Sequence, residues 1–420
     1  MRIERLLGCA CGAMLLSVAA FAADWPEWRG PRRDAVSTET GLLKEWPKEG
    51  PRLAWQAKDI GDGYATPSVA GNRVYVLSNR GLENEFVQAL STRDGKQIWA
   101  TRLGKVGNPE QMPSFPAARS TPTVDGGLVY ALGSDGDLAC IETVSGAIRW
   151  RKNLRGDFGG VSGKSGYTES PLVDGDAVVV TPGGAQATMV ALNKKTGETI
   201  WKSAVPGGDD AAFASAIVVE AGSRRQYAQF LAKGLVGVEA KTGQFLWRYD
   251  ATGKGNTNIP TPVASGGYIY TTESHGPGGL VHLAAAGRGV AAEQVYLLRG
   301  LPSSIGGSVV VGATHYGTTG EVLVAADWPT GKMLWQEAGT GEGSILGVGN
   351  RLYIHGENGD VILAEATREA YRQKGRFMPP DRPQGARGAM EKSWAYPVVA
   401  NGRLYIRELG SLWCYDISAR

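Results

Sequence analysis

Charge of one sign is what this chain lacks first: 44 Lys and Arg stand against 41 Asp and Glu in 420 residues, a formal +3. A balance so close to neutral argues against bulk nucleic-acid binding, which needs a basic surface to neutralise phosphates. Cysteine and histidine are both scarce, at four residues each, so a disulfide-dense scaffold is excluded. Long apolar runs are confined to one place, Leu6 to Phe21. No other stretch approaches the roughly 18 residues of a spanning helix, so no membrane span is expected. A nucleophile elbow, a phosphate-binding glycine loop and CxxC are also missing, which removes the commonest sequence signs of acyl-transfer, nucleotide and thiol chemistry. Glycine, by contrast, is abundant: 60 residues, about twice the usual share and without a collagen-like triplet period. With 42% hydrophobic residues the chain has ample capacity to bury a core, and disorder is excluded.

The start reads as an export signal. A short charged opening, Met1 to Arg5, leads into the apolar run and then the small-residue pattern Ala20-Phe21-Ala22, which places cleavage after Ala22. The string Leu6-Leu7-Gly8-Cys9 resembles a lipoprotein site, but its apolar region follows the cysteine instead of preceding it, so lipidation is not expected. The product is expected to be periplasmic or secreted, soluble and monomeric, with residues 1–22 as signal peptide, 23–50 as a lead segment packing on the fold, and 51–420 as the domain itself.

That domain is repetitive. Aligned on a glycine followed four residues later by tryptophan, five segments superpose, ending at Trp99, Trp150, Trp201, Trp247 and Trp335; each begins with Ala, Gly or Cys ten residues before its Trp. Upstream lie apolar alternations on both sides of a short Gly, Asn or Asp turn, clearest in 66–77, 121–132, 170–181 and 261–272, the pattern of β-hairpins. Each unit of roughly 50 residues thus carries four short strands, and such units stack radially as propeller blades. Eight units fit. Tyr296 stands in the Trp region of blade 5 and Tyr371 in that of blade 7, and blade 8 stops after its third strand. The segment 51–56, with its own Trp55, is expected to supply the missing outer strand and so remove the open sheet edge. The tryptophans are read as packing between blades, not as a cofactor box. Cys140 and Cys414 fall in the small-residue slots of blades 2 and 8 with blade 1 between them. Packed sheets about 10 Å apart exceed the roughly 7 Å limit for a bridge, so two free, buried thiols are expected.

At this point the chain resembles the pyrroloquinoline-quinone (PQQ) repeat family of all-β, eight-bladed β-propellers with tryptophan-docking blades, within the quinoprotein alcohol dehydrogenase-like superfamily. It is similar above all to exported propellers that open with strings like Asp24 to Pro31 and Gly41 to Pro47. The resemblance implies two functions. One is a non-catalytic binding or scaffold role, for a protein or saccharide ligand and without a cofactor, as in the lipoprotein of this superfamily that helps assemble outer-membrane barrels. The other is oxidation of an alcohol or sugar with PQQ and Ca²⁺. The dehydrogenases pair adjacent cysteines against the quinone and offer a carboxylate-rich calcium site; this chain has no adjacent cysteines, and Gln186 stands where those enzymes offer a Glu. The scaffold role is therefore preferred.

Function in a propeller is expected on the face where the inter-blade connections emerge. Tyr64, Arg119, Tyr167, Glu169, Asn258, His275, Trp394 and Tyr396 are the candidate residues at its mouth. The connection 372–393 carries Arg372, Lys374, Arg376, Arg382, Arg387 and Lys392 against Asp381 and Glu391. Arg376, Arg382 and Arg387 are accordingly candidates for contact with an anionic partner. His275, His315 and His355 are spaced by 40 residues, but they occupy different slots of the repeat, so no metal site is expected from them.

Overall fold

A computed structural model describes residues 23–419 apart from 113, 222–223, 256, 287–288 and 384–391; the expected signal peptide, 1–22, and Arg387 lie outside the described residues. The backbone forms eight antiparallel sheets of four strands arranged as an eight-bladed propeller, with one further short strand added to blade 7. Blade 1 shows the plan: an inner strand Ser68–Ala70, then Arg73–Arg80, Asn84–Ser91 and the outer Gln97–Gly104. Its first hairpin turns in two residues, with Ala70 opposite Arg73. Gly71 takes the tight corner at φ 57° with open space around it, so the backbone conformation, not crowding, calls for glycine there.

The repeated Gly-x-x-x-Trp is an interlock between neighbours. Within a blade the Trp lies opposite the small-residue slot: Trp99 against Ala89, Trp150 against Cys140, Trp201 against Ala191. Its ring then lies beneath the glycine of the next blade. A Cβ at Gly146 would stand 2.8 Å from Trp99, at Gly197 2.8 Å from Trp150 and at Gly243 2.6 Å from Trp201, so only glycine lets the sheets close on the indole. The indole N–H donates across the same joint, Trp99 to Thr143 O at 2.9 Å and Trp150 to Lys194 O at 3.1 Å. Cys140 and Cys414 are free and buried in these slots, and burial pushes their thiols up to about 11 and about 12.

The ring closes between blades 8 and 1. Arg52–Ala57 pairs antiparallel with Ser411–Asp416, bringing Trp55 opposite Cys414, and Gly95 of blade 1 covers Trp55 as the other glycines cover theirs. A second device is the fully buried Arg407 of blade 8. It donates to Ala65 O at 2.9 Å, to Leu77 O at 2.7 Å and to Ser78 Oγ at 3.0 Å, across the joint into blade 1.

Blade 7 departs from the sequence expectation. Its outer strand, Gln373–Phe377, sets Gly375, not Tyr371, opposite Leu363 in the tryptophan slot. The slot is filled from elsewhere: Trp46 of the lead segment lies over Gly375, where a Cβ would meet its own Cβ at 2.6 Å, and packs edge-on against Tyr353 and Phe377. Tyr371 instead lies before the strand, beside Trp335.

The lead segment does more than lie on the surface. Trp25 exchanges backbone bonds with Val69 of blade 1, and Pro26 O accepts from Val124 N of blade 2. Arg33 donates to Ser170 O at the entry of blade 3 and Ala216 O at the entry of blade 4. Trp28 Nε1 donates to Thr261 Oγ1 beside blade 5, and Arg29 to Ser308 O in blade 6. Val36–Ser37 runs parallel to Gly343–Val348 of blade 7, and Glu39 accepts from Asn401 and Gly402 of blade 8. A segment that reaches the inner edges of all eight blades must lie along the axis, so residues 24–39 plug the central channel. Bonding polar groups all round satisfies the inner strands' spare acceptors.

Candidate functional site

The plug stops short of one end of the channel. There the inter-blade connections converge, and they enclose a cavity of about 260 Å³. Trp28 of the plug contributes to its lining, held edge-on to Tyr396 at 4.7 Å. The walls come from the connections before blades 1 to 6 and 8: Tyr64, Gln111, Phe115, Arg119, Phe213, Ile259, Ile305 and Trp394, with Ser165, Thr168, Ser170 and Ser215 between them. The neck is set by a ladder of hydroxyls at the Ser/Thr that open the inner hairpins. Thr121 N donates to Ser170 Oγ at 2.9 Å, Ser170 N to Ser215 Oγ at 2.9 Å, and Ser215 N to Thr261 Oγ1 at 3.3 Å. Each blade thereby positions the next around the funnel.

Among the described residues Arg119 is the one charged residue in this lining. Its guanidinium lies 5.9 Å over the Tyr64 ring and 5.8 Å over the Phe213 ring, contacts that favour a cation. Nη1 donates to Ser165 O at 3.0 Å. Burial pulls its pKa down to about 10, partly offset by Tyr64 and Glu85.

Of the eight residues proposed from sequence, Tyr64, Arg119, Trp394 and Tyr396 line this cavity, and Tyr167, Glu169, Asn258 and His275 do not. Tyr167 is buried and donates to Pro182 O at 2.8 Å. Glu169 is buried against Thr181 N and Gln229, and burial pushes its carboxyl up to about 7. Asn258 ties two turns together through Leu231 O at 2.6 Å and Ala232 O at 3.1 Å. His275, at φ 64°, bonds Glu342 at 2.7 Å on the rim. Sequence reading missed Trp28, Phe115, Phe213 and both isoleucines. Phe115 and Phe213 sit in inter-blade connections, on the face where function is expected, whereas nothing local shows that Trp28 enters the channel.

The basic connection is shorter and less free than its sequence implies. Because Gln373–Phe377 is a strand, the connection begins at Met378. Arg376 pairs with Asp360 and Arg382 with Glu408, the latter at 2.7 Å; Arg372 and Lys374 pair with Glu365, and Lys392 with Glu357. The local excess of positive charge is largely spent on the propeller's own carboxylates. The histidines are also apart: His315 is buried against Ser308 Oγ at 2.8 Å with its pKa driven down to about 3 by burial, and His355 bonds Ala395 O at 2.8 Å and Glu408 at 3.4 Å.

The residues present do not fit a calcium-activated quinone. Among the described residues no group of three or more His, Cys, Asp or Glu could hold a metal, and the cavity lining contains no carboxylate. Gln186 is exposed and away from the cavity. PQQ is a tricarboxylate, and the lining offers it a single cation.

The family model described as outer membrane protein assembly factor BamB, of the PQQ-repeat type, matches residues 31–109 and 83–323. A curated relative, the outer membrane protein assembly factor BamB of Moranella endobia, is 28% identical over 171 residues, 40% of this chain and 40% of that protein. The matched region therefore spans about two fifths of that relative's length. Among solved structures, BamB from Moraxella catarrhalis superposes with a TM-score of 0.60 at 16% identity, covering 88% of this chain and 98% of that one. The quinohemoprotein alcohol dehydrogenase ADHIIG of Pseudomonas putida HK5 superposes with a TM-score of 0.65 at 15% identity, covering 95% and 81%. At such identities the two superpositions show a shared propeller and nothing finer. With the docking tryptophans, the eight blades and a family match across most of its length, the chain belongs to the PQQ-repeat family of β-propellers that includes the BamB outer membrane protein assembly factors.

Proposed function

We propose that this protein is a non-catalytic, protein-binding scaffold that serves outer-membrane protein assembly, exported and acting on the periplasmic side. The family match over residues 31–323 carries the reading. The structure supports it in one respect: the described residues on either side of 384–391 are pinned to the propeller. Lys392 pairs with Glu357, Trp394 Nε1 donates to Glu357 at 2.7 Å, and Arg382 is held by Glu408. Preformed loops reduce the ordering cost of association. A protein partner is favoured over a saccharide because both the family model and the curated relative carry the name of a protein-assembly factor. Quinone-dependent oxidation is the weaker reading, given a lining without carboxylates.

The test is made in cells. A photo-reactive amino acid at Phe115 is expected to cross-link to a component of the outer-membrane assembly machinery, and deletion of the gene is expected to lower outer-membrane protein levels. Unchanged levels in the deletion strain, with no cross-link to that machinery, would remove the proposal.

A further inference from the structure

We infer that the funnel is a small-molecule site for an aryl monocarboxylate, a flat apolar body carrying one carboxylate that Arg119 receives. Three observations meet there. The cavity of about 260 Å³ lies just below the usual span of small-ligand pockets, about 300–1,000 Å³, room for a single ring with a short side arm. Its walls are aromatic, with Trp28, Phe115, Phe213 and Trp394 among them, and Phe115 lies nearly parallel to Trp394, 9° between planes at 6.2 Å. Flat, rigid walls of this kind gain most from a flat apolar occupant, by stacking or edge contact.

The third observation is the cation. A guanidinium has five N–H donors, and among the described residues Arg119 spends one of them, on Ser165 O. Among the described residues no carboxylate lies within ion-pair distance of it; Glu85, an acid that acts on it from further away, has its Oε2 engaged by Ser134 N at 2.8 Å and Ser134 Oγ at 2.6 Å and its Oε1 buried without a hydrogen bond among the described residues. Taking a charge out of water is costly unless it is paired. Two aromatic faces offset part of that cost, and they leave the edge of the guanidinium, which is where a carboxylate binds, unoccupied. Gln111 Oε1, in the same lining, is buried without a hydrogen-bond partner among the described residues. One cation selects one anionic group, which separates this ligand class from the PQQ tricarboxylate. The inference is independent of the assembly role, since it concerns the isolated protein and not what docks on the rim.

Titration of purified protein by calorimetry, with tryptophan fluorescence alongside, tests it using 3-phenylpropanoate, its neutral amide, propanoate and PQQ. The acid is expected to bind at least about tenfold more tightly than either the amide, which lacks the charge, or propanoate, which lacks the ring. Arg119→Gln should lose about the same factor for the acid and little for the amide. Equal binding of acid and amide by the wild-type protein would overturn the inference, and that comparison needs no variant to fold. No saturable binding of the acid up to about 10 mM, or tighter binding of PQQ than of the acid, would also overturn it. Outer-membrane protein levels in the deletion strain bear on the assembly role alone, so either proposal can fail without the other.

Discussion

Trp46 is the sharpest point at which to test how this propeller is held together, because it fills from outside the blade a slot that other blades fill from within. It is 5% exposed. An indole of that burial removes about 150–250 Å² from water, worth about 4–6 kcal/mol at about 25 cal/mol/Å², and Trp-to-Ala changes in cores cost about 3–5 kcal/mol. One opposing term reduces this. The Trp46 Nε1 is buried with no acceptor among the described residues, whereas Trp99 and Trp150 donate to a carbonyl of the next blade. Removing an unmet donor returns about 1–3 kcal/mol, so Trp46→Ala should destabilise by about 1–3 kcal/mol net. Gly375→Trp alone should also destabilise, by about 1–3 kcal/mol, since its Cβ would stand 2.6 Å from that of Trp46. Combined, Trp46→Ala and Gly375→Trp move the indole onto the strand that normally carries it, and Gly375 is not held at a positive φ that would forbid a side chain. The double variant should be more stable than the sum of the single changes by at least about 2 kcal/mol. Equilibrium urea unfolding followed by far-ultraviolet circular dichroism measures all four proteins. Single changes that simply add, or a Trp46→Ala cost below about 0.5 kcal/mol, would refute the slot-filling argument.

The buried carboxyls of Glu85 and Glu169, both pushed up to about 7 chiefly by burial, make stability fall as pH rises. Their folded pKa values exceed the unfolded one, so the stability they contribute is full below about pH 4.5 and is lost as pH climbs through about 7; Glu85→Gln and Glu169→Gln should each flatten the decline in melting temperature between pH 5 and pH 8. Arg407, whose pKa burial pulls down to about 9, should cost about 2–4 kcal/mol when replaced by Met, because Ala65 O and Leu77 O lose their donor at the ring joint; unchanged urea unfolding of that variant would show that the outer strand alone closes the ring. The thiols of Cys140 and Cys414, raised and buried, should resist an aromatic disulfide reagent in the native protein and react only on unfolding, and rapid labelling of either one without denaturant would contradict the packing described here.

Much of the architecture was legible because a repeat multiplies weak signals. The glycine, the tryptophan ten residues past a small slot, and the hairpin turns recur at fixed spacing, and each recurrence reports a contact between one blade and its neighbour. The closing strand around Trp55 and the free cysteines followed from the same register. The site was legible only in part. Tyr64, Arg119, Trp394 and Tyr396 were found because their connections had to emerge on one face. Tyr167, Glu169 and Asn258 stand in similar sequence positions, but their side chains turn back into hydrogen bonds with neighbouring backbone, and a β-propeller's loop spacing does not encode that rotation. The path of residues 24–39 along the axis, Trp46 in a slot left empty by Gly375, and the pairing of Arg376 and Arg382 with Asp360 and Glu408 all depend on which surfaces meet after the ring has formed. Local sequence sets strand, turn and slot through interactions between near neighbours; the plug, the funnel and the cation within it are set by contacts between residues far apart in the chain, and only the closed propeller brings those together.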